Sequence, residues 1–84
     1  MDMNQVLEDL TLLLIYLTSW SEKMSLGVRA QRAWKGYDFE TLKALMEKSY
    51  IYGSKRAKSV YLTEEGIERA RNLERRILPK FNRP

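Results

Sequence analysis

The run from Val6 to Leu17, VLEDLTLLLIYL, carries more apolar side chains than one helical face can hold. Val6, Leu7, Leu10, Leu13, Leu14 and Leu17 keep the spacing of one face, which predicts a helix over residues 5–19. Asp2 or Asn4 can cap its start, and Glu8 and Asp9 suit the positive end of its dipole. Leu12, Ile15 and Tyr16 make the middle apolar nearly all round, and a helix of that kind is buried on more than one side. A chain of 84 residues has little with which to cover two sides. A second copy is a reasonable supplier of the other surface, so the expectation is a homodimer with Leu10, Leu13, Leu14 and Leu17 at its interface.

The rest of the chain is read as one domain, residues 1–84, without repeats or low-complexity segments. Trp20 to Gly27 reads as a connection, and Val28 to Lys35 as a short second helix ended by Gly36 in a left-handed cap. Asp38 reads as the N-cap of a helix from Phe39 to Lys48, with Phe39, Leu42, Leu45 and Met46 as its core face. Tyr50-Ile51-Tyr52 and Val60-Tyr61-Leu62 flank a glycine-led turn and predict a hairpin. Alternation sends Ile51, Val60 and Leu62 inward and leaves Tyr50, Tyr52 and Tyr61 on the other face. Thr63 caps a last helix, with Glu64 and Glu65 in its first turn, Ile67, Ala70, Leu73 and Ile77 as its stripe, and Pro79 as its stop. The expected fold is mostly α with a small β-hairpin: a winged helix-turn-helix with an additional C-terminal helix.

Two blocks, RAWKGYDFETLKALMEKSYI over residues 32–51 and KRAKSVYLTEEG over residues 55–66, resemble a family of small bacterial proteins defined only as a domain of unknown function. Ala33-Trp34-Lys35-Gly36 together with Lys58-Ser59-Val60 carry that resemblance. The second half also resembles winged-helix regulators of the MarR and PadR type, in which a recognition helix ending Glu-Lys-Gly is followed by a wing and Leu-Thr-Glu-Lys-Gly. Ser49 stands where that pattern has glycine. The resemblance implies the fold more strongly than it implies DNA binding.

Charge is distributed in blocks. Residues 1–25 hold Lys23 against Asp2, Glu8, Asp9 and Glu22, a net of −3. Residues 26–37 hold Arg29, Arg32 and Lys35 without an acid, and residues 51–63 hold Lys55, Arg56 and Lys58 without one, so each block is +3. From Glu64 onward six basic residues face four acids. Basic blocks in a small protein point to a polyanion partner, here double-stranded DNA. Lys55, Arg56 and Lys58 at the wing are expected to contact phosphates, with Arg29, Arg32 and Lys35 adding contacts if they lie on the same side. Thr41 and Lys43 would face the major groove from the recognition helix, but Asp38 and Glu40 beside them would repel phosphates. A charged hairpin tip also serves solubility and discourages edge pairing. The tyrosines of the outer face could stack on bases or pack against protein, and Trp34 reads as a core or interface anchor.

The chain contains neither cysteine nor histidine, so thiolate sites and the commonest general base and metal ligand are missing from its chemistry. Glu64 and Glu65 point about 100° apart on a helix start, a poor acid/base pair. The expectation is a non-enzymatic protein without a cofactor, acting as a small transcriptional regulator. The rival expectation is a protein-interaction module on the same fold. An acidic N-terminus, no cysteine, and an apolar run too short to cross a bilayer add the expectation of a soluble, cytoplasmic protein without membrane association.

Overall fold

In the computed structural model, which describes residues 2–79, three helices cover one face of a four-stranded antiparallel sheet. Lys80 and Arg83 of the C-terminal basic block lie outside the described residues. The order is α1 (Met3–Leu17), β1 (Trp20–Lys23), a 3₁₀ turn (Ser25–Gly27), β2 (Arg29–Trp34), α2 (Phe39–Glu47), β3 (Ile51–Tyr52), β4 (Ser59–Leu62) and α3 (Glu64–Ile77). The strands lie side by side as β1-β2-β4-β3. No helix among the described residues is long and apolar enough to cross a membrane.

All three helix starts are capped by the residues their sequences suggest. The Asp2 carboxylate accepts from the Asn4 N–H, the Asp38 carboxylate from the Thr41 N–H, and the Thr63 hydroxyl from the Gly66 N–H. Leu12 and Ile15 of α1, Leu42 and Leu45 of α2, and Ala70 and Leu73 of α3 meet Ala33, Ile51, Val60 and Leu62 of the sheet in one buried cluster. Ion pairs at the rim tie α1 to its neighbours: Lys48 to Glu8 on the α2 side, and Arg69 to both carboxylate oxygens of Asp9 on the α3 side. The hydrogen bond from Lys48 to Glu8 raises the pKa of that ammonium above its ordinary value.

The segment expected as a second helix is instead β2, and the expected connection before it is β1 with its turn. Arg29–Trp34 is rich in helix formers, but Ala33 is fully buried against the helices and β2 hydrogen-bonds to β1 on one edge and β4 on the other. Those pairings outweigh a propensity difference of at most about 0.7 kcal/mol per residue. Gly36 is not left-handed; among the described residues the left-handed ones are Leu26 and Gly27 in the β1–β2 turn, and Ser49. Phe39 leaves the predicted core face and is 65% exposed. Tyr50 packs against the core instead of joining Tyr52 and Tyr61, and Ile77 at the end of the α3 stripe is exposed.

Two backbone details explain local sequence. Helix α2 ends in a Schellman motif: the Tyr50 N–H donates to the Leu45 carbonyl at 3.0 Å and the Ser49 N–H to the Met46 carbonyl at 3.0 Å, with Ser49 left-handed at φ 64°. Serine bears the Cβ penalty there that glycine would not. Gly66, in the first turn of α3, lies against the Tyr50 backbone so closely that a Cβ would overlap the Tyr50 carbonyl, which already accepts from the Thr63 N–H and hydroxyl. Replacing Ser49 by glycine should therefore raise the unfolding free energy by about 0.5–1 kcal/mol. Gly66→Ala should lower it by about 3 kcal/mol, through displacement of α3 from Tyr50. Urea titration of both variants beside the wild type measures the two opposite shifts.

Candidate nucleic-acid interface

The turn joining β3 to β4 is tied locally before it is charged. The Ala57 N–H donates to the Ser54 carbonyl at 3.2 Å, and the Arg56 N–H to the Ser54 hydroxyl at 3.2 Å. Lys55, Arg56 and Lys58 all face solvent from this turn. Immediately after β2, the Lys35 N–H donates to the Lys58 carbonyl at 3.1 Å, and its ammonium reaches the carbonyls of Ser54 and Lys55 at 2.9 and 3.2 Å. Lys35 thus joins the turn cations although about 20 residues separate them in the chain. Lys43 of α2 joins them across a cleft of about 390 Å³, lined by Lys35, Lys43 and Lys55 around Tyr37, Phe39, Leu42 and Met46. None of these five cations forms an ion pair with a carboxylate among the described residues.

Three of the residues expected at this surface are elsewhere or already engaged. Arg32 lies on the sheet, where its guanidinium meets both carboxylate oxygens of Glu22 at 3.0 and 2.9 Å and donates to the Ser59 hydroxyl at 2.6 Å. Arg29 donates to the Ser21 hydroxyl at 3.2 Å near the β1–β2 turn, about 20 Å along β2 from Lys35 at the rise of an extended strand. Thr41 is buried, and both its N–H and its hydroxyl donate to Asp38, so it has no reach to a base edge. The two +3 blocks therefore merge only through Lys35.

The sheet face turned away from the helices carries a second feature. Residues opposite one another on paired strands share a face, and the register aligns Trp20, Arg32, Tyr61 and Tyr52 in one row across all four strands. Tyr52 and Tyr61 stack with centroids 5.2 Å apart, Arg32 lies 5.2 Å from the Tyr61 centroid, and Tyr61 donates to Glu22 at 3.2 Å. Trp34 packs against Trp20 at 5.2 Å yet stays 64% exposed, one residue from Lys35. The aromatic surface and the basic turn are thus contiguous. Trp20 and Glu22 were not among the residues the sequence singled out. Their alternation with Ser21 and Lys23 is the signal, and it has meaning only once β1 is a strand.

Residues 3–80 match the model of a family described as a domain of unknown function (DUF6429). The chain belongs to this family. A relative in sequence is "Uncharacterized protein y4hR" of Sinorhizobium fredii (strain NBRC 101917 / NGR234), 33% identical over 75 residues that cover 88% of this chain and 90% of the relative. No solved structure matches the chain.

Glu22 is the centre that holds Arg32 and Tyr61 in the aromatic row. Both partners of the ion pair are about one-third exposed, so solvent screens it. A double-mutant cycle with Glu22→Ala and Arg32→Ala should give a coupling energy of about 1 kcal/mol in urea unfolding.

Proposed function

We propose that this protein binds nucleic acid, and duplex DNA in the first instance, by laying the turn at residues 53–58 along the phosphate backbone. The observation that carries the reading is the Lys35 ammonium seated on the Ser54 and Lys55 carbonyls, which gathers Lys35, Lys55, Arg56 and Lys58 into one patch of cations without an ion pair among the described residues, beside exposed Trp34. Helix α2, the β3–β4 hairpin and α3 follow in the order of the C-terminal half of a winged helix, with this turn as the wing. Asp38 and Glu40 at the start of α2, and the engagement of Thr41 in its cap, favour phosphate contact over base readout from that helix. Trp34 and the tyrosine row can add stacking on sugars or bases. A small regulator that associates with DNA and has no catalytic step of its own fits this arrangement best.

Three to five phosphate contacts correspond to dissociation constants of roughly 10⁻⁴ to 10⁻⁶ M, with log K falling by about 0.9 per contact per decade of salt. Fluorescence anisotropy with a labelled duplex at two salt concentrations should show that dependence. The triple variant Lys55→Glu, Arg56→Glu, Lys58→Glu should lose at least tenfold in affinity with its circular dichroism unchanged. No binding by the wild type at low salt, or binding indifferent to the triple change, refutes the proposal. A labelled single strand run in parallel tells whether stacking on Trp34 adds to phosphate contact.

The alternative is an interaction module on the same fold. It is favoured by the apolar side chains that α1 leaves in solvent.

A further inference from the structure

Helix α1 has two apolar faces, and its own protomer covers one of them. Leu12 and Ile15 are fully buried in the core. Leu13, expected at a subunit contact, is also buried within the protomer. On the opposite side Met3, Leu7, Leu10, Leu14 and Leu17 are each between 42% and 63% exposed. Their spacing is four, three, four, three, the 3.5-residue repeat of a coiled-coil seam, sustained over two heptads. At 100° per residue the five lie within about 80° of one another. Contiguous apolar surface of this kind is rarely left in water on a soluble protein.

What covers the seam follows from its borders. The positions flanking it are Asn4, Thr11 and Thr18 on one side and Val6 and Leu13 on the other, none of them charged. Of the acids on α1, Glu8 and Asp9 are held toward the protomer by Lys48 and Arg69, and Asp2 caps the helix start, its carboxylate accepting from the Asn4 N–H. A two-fold pairing of α1 with α1 therefore opposes leucine to leucine and brings no like charges together. A charged partner would find no complementary rim, and an anionic membrane surface would find no lysine or arginine beside the stripe. Two heptads are too few for isolated helices to associate, but α1 is already ordered by its own core, so pairing requires little further loss of conformational freedom.

We infer that the seam Met3-Leu7-Leu10-Leu14-Leu17 is the interface with a second copy of this chain, in a homodimer built on α1–α1 packing. The short seam places it among the smaller, weaker interfaces, with dissociation in the micromolar range. The dimer carries two basic turns, but its formation does not depend on nucleic acid.

Sedimentation equilibrium of the full chain without nucleic acid, over a dilution series from about 1 to 500 µM, tests this independently of DNA binding. The expected result is a mass that rises from one to two protomers. The double variant Leu10→Glu, Leu14→Glu should stay at one protomer throughout, a shift in dissociation constant of at least 100-fold, while Val28→Glu, at an exposed apolar residue off the seam, should dimerise as the wild type does. Circular dichroism checks that each variant is folded. A wild type that stays monomeric to 500 µM overturns the inference, as does a dimer that survives both glutamates or one that Val28→Glu breaks equally. Should the double variant fail to fold, the wild-type series still decides between one and two protomers. Flotation of a monomeric wild type with anionic vesicles would assign the seam to a lipid surface and likewise overturn it.

Discussion

Strand β2 hydrogen-bonds along both of its edges, and the rest of the structure depends on that. Strand β4 has only the two-residue β3 on one side, and among the described residues β1 has no strand on its other edge. Between them, β2 supplies the pairing that joins the β3–β4 hairpin and β1 into one sheet. An unpaired backbone group in a buried strand costs free energy comparable to a lost hydrogen bond, so the ladder constrains Arg29–Trp34 more strongly than any side-chain preference there. Ala33 then sits under the helices because alternation requires it, and Arg32 and Trp34 face outward for the same reason.

This one strand also accounts for how the charges divide. Had Val28–Lys35 been helical, Arg29, Arg32 and Lys35 would lie within a turn or two of each other. On a strand they are spread over about 20 Å and alternate in direction. Only Lys35, just past the end of β2, reaches the turn of residues 53–58. Arg32 becomes part of a neutral aromatic row centred on Glu22, and Arg29 stays beside the β1–β2 turn. A surface with aromatic rings at one end and unpaired cations at the other is the outcome.

Local chemistry was readable wherever the interacting groups are near in sequence. The caps at Asp2, Asp38 and Thr63, the presence of α1, α2 and α3, and the inward set Ile51, Val60 and Leu62 follow from spacing and capping alone, though α1 runs Met3–Leu17 where spacing put 5–19. The second helix misled because Ala, Gln and Arg favour helix in isolation, and their strand partners lie in two different segments. Phe39 was placed in the core by periodicity, yet at the first position of α2 it falls outside the packed face. Leu13, expected at a subunit contact, lies in the protomer core, because an all-round apolar helix has no sequence signal for which arc its own domain will take.

What the amino-acid sequence determined by itself is therefore the set of short-range choices: where helices begin, which turn is basic, and that α1 has more apolar surface than one core can absorb. Only the tertiary structure decided which edge β2 would fill, which cations would find carboxylates, and which leucines would remain in water. The physical reason is range. Caps and periodicity act over three or four residues, whereas ladder pairing, the Arg32–Glu22 contact and the seating of Lys35 on the turn join groups whose proximity exists only after the chain has folded.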